Sequence, residues 1–97
     1  MSEREATFAK SLAQAHAALR AGRAATAERW LRALEAQFPG DENCLWLLGV
    51  ALLDQDKIPE SIAMLEGVLV RAPDFAHARV DLARALRRDG RAASARD

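Results

Sequence analysis

The sequence predicts an all-α fold built from antiparallel helix pairs, and three observations support this prediction. Alanine occurs 22 times in 97 residues, and it favours helix because it loses no side-chain entropy there. Apolar residues recur three and four positions apart, which is the spacing of one helix face. Pro39 and Pro73 stand 34 residues apart, and residues of similar character repeat at the same distance.

Shifting the sequence by 34 residues against itself aligns small residues, turn residues and prolines in one register. The aligned sets are Pro39 with Pro73; Gly22 with Asp56 and Gly90; Ala15 with Gly49 and Ala83; Ala27 with Ser61 and Ala95; and Leu31 with Leu65. We therefore expect a single domain over residues 1–97. Its repeat units fall at approximately 8–41, 42–75 and 76–97, and the last unit is truncated.

The first unit is predicted to hold helices over residues 3–21 and 24–37. Gly22 ends the first helix, because glycine readily takes the left-handed conformation that follows many helices. Pro39 ends the second helix, because proline disfavours helix at the residue before it. A short polar turn therefore joins the two helices.

The second unit is predicted to hold helices over residues 41–55 and 58–71. Asp41 suits the start of the first helix, because a short acid can accept from free N–H groups there. Pro59 suits the first turn of the second helix, and Pro73 follows its end. The apolar residues on the inner faces are Leu45, Leu48 and Leu52, then Ile62, Leu65, Val68 and Leu69.

The third unit is predicted to begin with a helix over residues 74–89, which Asp74 starts and Gly90 ends. A helix stub follows from residue 91. The segment RAASARD stops shortly after Ala95, before a second helix is complete. We therefore expect the natural protein to continue beyond Asp97.

The second unit resembles the tetratricopeptide repeat, whose pattern is W-x2-L-G-x2-Y, then A-x3-F, then P. The matching residues are Leu45-x2-Leu48-Gly49-x2-Leu52, then Ser61-x3-Leu65, then Pro73. Leucine replaces the aromatic residues and serine replaces alanine. The resemblance covers residues 8–97 and implies a right-handed solenoid of helix pairs, with a concave surface lined by the first helix of each unit.

Small residues are predicted to bring the two helices of each pair together. Ala15, Gly49 and Ala83 face Ala27, Ser61 and Ala95, respectively, in this prediction. Only small side chains let two helix axes approach at the short end of the usual range of about 8–10 Å.

The concave surface is the predicted binding site for a partner protein. Its ten predicted residues are Leu12, His16 and Leu19, then Asn43, Trp46, Val50 and Leu53, then Val80, Arg84 and Arg87. Trp46 is the strongest candidate, because aromatic residues are frequent binding hot spots. The alternative for Trp46 is a place in the core. For Trp30, on the second helix, core packing is the favoured interpretation.

Some relatives in that family hold a terminal carboxylate with lysine, asparagine and arginine on these inward helices. The corresponding residues here are Leu12, His16, Leu47 and Asp81. We therefore expect that this carboxylate clamp is absent and that the ligand is of another kind.

Composition and motifs argue against several other functions. The 14 basic and 14 acidic residues balance, so neither nucleic acid nor a membrane is an expected partner. No apolar run approaches the roughly 18 residues of a membrane span, and a cytoplasmic location is expected. Cys44 is predicted to be a buried structural thiol. His16 and His77 lie on different repeats with no cysteine or carboxylate at ligand spacing, so no metal site is expected. We expect no cofactor and no enzymatic activity.

Three functional interpretations remain open from the sequence. The first is a protein interaction scaffold that binds a peptide or helix in its groove. The second is a structural module in which the same apolar surface stacks against itself and makes a dimer or filament. The uncapped C-terminal end is a further candidate surface for a homodimer. The third is the N-terminal targeting arm of a larger bacterial enzyme, because the sequence is similar to the repeat arms of sulfotransferase-type and hydroxylase-type proteins.

Overall fold

A computed structural model describes residues 2–90, and this part of the chain contains five α-helices and no strand. They are α1 (Glu3–Arg20), α2 (Ala24–Gln37), α3 (Glu42–Asp54), α4 (Ile58–Arg71) and α5 (Ala76–Asp89). The all-α prediction is confirmed, and the predicted bounds agree with the observed ones to within two residues. The stub predicted from residue 91, and Ala95 with it, lie outside the described residues.

The helices form two layers. Each helix packs against the next one along the chain, and α3 also contacts both α1 and α5. The first helices of successive units, α1, α3 and α5, therefore lie side by side, while α2 and α4 form the other layer. This is the arrangement expected of stacked helix pairs, and its right-handed twist stays a prediction.

Most of the predicted start and stop signals are confirmed. The side chain of Asp41 accepts a hydrogen bond from the Cys44 amide at 3.0 Å, and Pro59 lies in the first turn of α4. Gly22 and Gly90 have φ of +80° and +82°. Asp56, which aligns with these glycines, takes the same left-handed conformation with φ of +64°.

The predicted role of Asp74 as a helix cap is wrong. Helix α5 begins two residues later than predicted, with Phe75 at the capping position and no side-chain hydrogen bond there. Phe75 packs against the second of the two core clusters. The partly buried ring of Phe75 thus occupies the capping position, and Asp74 is left exposed in the turn before it.

The small-residue contact between α3 and α4 is confirmed. The Ser61 hydroxyl, which is fully buried, donates a hydrogen bond to the Gly49 carbonyl at 2.7 Å. A Cβ atom at Gly49 would lie 2.7 Å from Cδ2 of Leu65, which is itself fully buried. Hence α4 lies against the bare backbone of α3. In the first unit, Ala15 and Ala27 are likewise fully buried in one core cluster.

Cys44 is a buried structural thiol, as predicted. Its side chain is fully buried and its Sγ donates to the Leu31 carbonyl at 3.4 Å, which links α3 to α2. Burial, with smaller contributions from the negative charges of Glu35 and Asp41, raises the pKa of Cys44 to about 12. The thiol therefore stays protonated and packs as a small apolar group.

Glu28 joins the first unit to the turn of the second. Its carboxylate accepts hydrogen bonds from Arg32 at 2.7 Å, from Gln55 at 2.7 Å and from Lys57 at 3.2 Å. The hydrogen bond from Arg32, followed by that from Gln55, lowers the pKa of Glu28 to about 2. The ionised form is therefore favoured in the folded protein.

Two glycines in helix interiors should respond to alanine in opposite directions. At Gly67 an added Cβ meets no atom within 4 Å, so Gly67→Ala should stabilise the fold by about 0.5–1 kcal/mol through helix propensity. At Gly49 the added Cβ collides with Leu65, so Gly49→Ala should destabilise by about 1–3 kcal/mol. Urea unfolding measures both changes, and equal effects would contradict the close packing of α3 on α4.

The Glu28 cluster predicts how stability changes with pH. Folding lowers the pKa of Glu28 from 4.5 to about 2. The ionised carboxylate therefore adds to the free energy of unfolding above about pH 4.5, and this contribution disappears as the pH falls through about 2. The melting temperature of Glu28→Gln should therefore lie below that of wild type at neutral pH, and the gap should narrow in acid. A gap that does not vary with pH would contradict this assignment.

Candidate functional site

The first helices of the three units border a cleft of about 290 Å³ on the predicted binding side. We name it the Trp46 cleft. Its lining residues are His16, Leu19 and Arg20 from α1, Trp46, Leu47, Val50 and Asp54 from α3, and Asp81 and Arg84 from α5. All three units therefore contribute to one site.

Trp46 lies at the centre of a group of rings. Its ring is stacked on that of His77 with centroids 5.0 Å apart, and it lies 5.6 Å from that of Phe75. The His16 ring meets it edge-on at 6.0 Å. Trp46 is partly buried and packs against both core clusters, so its ring is held from several sides.

Asp81 fixes the polar edge of Trp46. The Trp46 Nε1–H group donates to Oδ2 of Asp81 at 2.8 Å, and Arg84 donates to Oδ1 of the same carboxylate at 2.7 Å. Asp81 is only 9% exposed. A largely buried carboxylate needs such partners, because an unpaired one is costly to remove from water. The indole orientation is therefore set by α5.

The cleft combines an apolar base with charges of both signs. Leu19 and Leu47 are buried and Val50 is partly buried. Arg20 and Asp54 are exposed at the rim. Such a site suits an apolar side chain in the centre and polar groups around it, as in the interfaces where a dry centre has a wet rim.

The structure brings five of the ten predicted residues together. They are His16, Leu19, Trp46, Val50 and Arg84. The prediction for Leu53 is wrong, because this side chain is fully buried in the second core cluster, where it packs with residues of α4 and α5. Leu12 packs against the first core cluster instead. The exposed residues Asn43, Val80 and Arg87 do not line the cleft.

Four lining residues are absent from the predicted binding set, namely Arg20, Leu47, Asp54 and Asp81. Of these, Leu47 and Asp81 were identified only as the residues at the positions of the carboxylate clamp. The 34-residue period contains a signal for them, since Leu47 aligns with Asp81 and Arg20 aligns with Asp54. The true inward face is therefore rotated by about one residue from the predicted one. Phe75 and His77 were also missed as neighbours of Trp46, because they lie at the start of α5.

The two tryptophans differ from their predicted environments in different ways. For Trp46, both interpretations hold in part, because the ring contacts the core and also lines the cleft. The favoured core interpretation of Trp30 is wrong. Trp30 is 46% exposed, and it lines surface depressions between α1 and α2.

Within residues 2–90, no group of three or more histidine, cysteine, aspartate or glutamate side chains is placed to hold a metal ion. None of the five helices combines the length and apolar character that crossing a membrane requires. The Trp46 cleft is thus the site in the described chain where apolar and charged side chains from three units converge.

A family model described as tetratricopeptide repeat matches residues 12–63 and again residues 47–97. The two overlapping matches together extend over most of the chain. Comparison with curated proteins and with solved structures gives no significant match.

Two substitutions at Asp81 should separate its hydrogen bond from its charge. Asp81→Ala leaves the Trp46 Nε1–H group without its acceptor, and this should cost about 1–3 kcal/mol of stability. Asp81→Asn keeps an oxygen acceptor and loses only the ion pair with the partly exposed Arg84, which should cost less than about 1 kcal/mol. Urea unfolding gives both values, and indole fluorescence should change more in Asp81→Ala. Equal costs would contradict the role of the Trp46 hydrogen bond.

Proposed function

The chain belongs to the tetratricopeptide repeat family, and from this premise we propose that it is a non-catalytic scaffold that binds a peptide or helix of a partner protein in the Trp46 cleft. Repeats of this family generally mediate protein–protein interactions, and the family is typically non-catalytic.

The observation that carries the proposal is the restrained position of Trp46 in an open cleft. Its ring contacts three other rings and its Nε1–H group is bonded to Asp81. An aromatic side chain that is ordered before binding loses little entropy when a partner arrives. Aromatic anchors of this kind dominate the energetics of many interfaces.

The dimensions and charges of the cleft define the segment that it accepts. A volume of about 290 Å³ lies at the lower end of the range for small-molecule pockets, and it suits one or two side chains of a longer ligand. An apolar or aromatic side chain would contact Trp46, Leu47 and Val50. Polar groups on the same segment would reach Arg20 and Asp54 at the rim.

A binding experiment with one cleft variant and one matched control tests this function. Trp46→Ala removes the anchor, whereas Val80→Ala removes an apolar side chain that is 61% exposed and lies outside the cleft lining. Partners are captured from host lysate on wild type and both variants, and the isolated partner segment is then titrated by calorimetry. Circular dichroism must first show equal helix content.

We expect the dissociation constant to rise at least about tenfold for Trp46→Ala, which corresponds to about 1.4 kcal/mol, and to remain unchanged for Val80→Ala. Equal affinity of all three proteins for the segment would refute a site at Trp46. Equal weakening by both variants would place binding on a broader part of this face.

A further inference from the structure

A second surface, separate from the Trp46 cleft, lies between α1 and α2. We name it the Trp30 groove and define it by Gln14, Ala17, Ala21, Arg23, Trp30 and Ala33. It includes two adjoining depressions of about 490 Å³ and about 230 Å³, which share Gln14 and Trp30. Small side chains form its floor, and the half-exposed indole of Trp30 forms one side.

Repeat alignment shows what kind of surface this is. The residues that correspond to Gln14 and Ala17 in the second unit are Leu48 and Ala51, which are 1% and 0% exposed. They are covered because α2 of the first unit packs against α3. The Trp30 groove is therefore the same helix-packing face, and no helix of residues 2–90 covers it in the first unit.

The position of Trp30 supports the same conclusion. Its counterpart 34 residues later is Met64, which is partly buried and packs against the first core cluster. In the second unit this position is thus partly covered by packing within the chain, whereas in the first it is a large aromatic side chain left 46% exposed. By this equivalence, the Trp30 groove has the shape of a site for a helix.

The outer side of α4 has complementary features. We name it the α4 stripe and define it by Ala63, Gly67 and Val70, with Glu60 and Glu66 beside them. All five are exposed, and Val70 is 83% exposed. A Cβ on Gly67 would meet nothing within 4 Å, so packing within the chain does not require glycine there. A bare helix backbone is useful where another helix approaches closely.

The charges of the two surfaces are opposite. Arg23 lines the Trp30 groove, and Lys10 lies one helical turn before Gln14 on α1. The α4 stripe has Glu60 and Glu66. Within residues 2–90, none of these four side chains makes a hydrogen bond or an ion pair with another described residue.

We propose that the Trp30 groove binds the α4 stripe of a second copy of this chain. Trp30 and Val70 supply the apolar contact, Gly67 and Ala63 permit close approach of the helices, and the glutamates lie towards Lys10 and Arg23. The apolar contact provides most of the affinity and the charges orient the two copies. The interface joins two different surfaces, so it leaves the Trp46 cleft open.

This arrangement differs from self-association through the C-terminal end, which the sequence suggested and which lies outside the described residues. Each copy has one groove and one stripe. When the contact joins two unlike surfaces, each copy can bind one further copy at each surface. The assembly then closes into a ring if the geometry allows, and otherwise it grows as an open filament. It follows that a copy with a damaged groove should still bind a copy with a damaged stripe.

Complementation between two variants of the full 97-residue chain tests the proposal. Trp30→Ala damages the groove, and Val70→Lys replaces the apolar side chain that contacts Trp30 with a charged one. Molar mass is measured by sedimentation equilibrium over a concentration series for wild type, for each variant and for their equimolar mixture. Trp46→Ala serves as the control in the other site. Ala17→Arg, at an exposed helix position, replaces Trp30→Ala if that variant unfolds.

We expect the mass of wild type and of Trp46→Ala to rise with concentration, and self-association of each interface variant to weaken at least about tenfold. The mixture should form a one-to-one complex that grows no further. High salt should weaken wild-type association, because it screens the charges that orient the copies.

Other outcomes would overturn the proposal. Wild type that stays monomeric at every concentration would show that a second copy does not occupy the groove. Loss of association in Trp30→Ala but not in Val70→Lys would show that the groove binds a surface other than the α4 stripe. A mixture that fails to associate would show that groove and stripe do not bind each other. None of these results bears on binding at Trp46, which is measured separately.

Discussion

The close approach of α4 to the backbone of α3 is the constraint on which the rest of the structure depends. The Ser61 hydroxyl reaches the Gly49 carbonyl because neither residue has a large side chain to separate the helices. Leu65 then fills the space where a Cβ of Gly49 would stand. With α4 fixed in this way, α3 contacts α1 on one side and α5 on the other. Trp46 is consequently placed between three units.

At Trp46 the core and the candidate binding site are continuous. Its ring packs against both core clusters, and the same ring lines the open cleft. The hydrogen bond to Asp81 ties the ring to α5, so the position of the site depends on how the third unit stacks on the second. Stacking geometry and the shape of the candidate site are therefore coupled, which is expected where each repeat contacts only its neighbours.

The sequence predicted helix bounds well and side-chain environments less well, for a physical reason. Caps and breakers such as Asp41, Pro59 and Gly90 act within a few residues, so the sequence contains their full effect. Which side of a helix is turned towards the core depends on the helices that pack against it. A rotation of about one residue places Leu53 under α5 and turns Asp81 into the cleft. Periodicity alone does not define the apolar face of a helix to within one residue.

Trp30 shows how one repeat position can have different roles in successive units. Period and amphipathic pattern suggest a core side chain, and its counterpart Met64 does pack against the first core cluster. The first described unit has no earlier unit beside α1 and α2 within residues 2–90, so the same position lies half exposed. Burial at a stacking face is thus a property of the neighbour as much as of the residue. In a solenoid, the surfaces available for binding are the concave cleft and each stacking face without a neighbour.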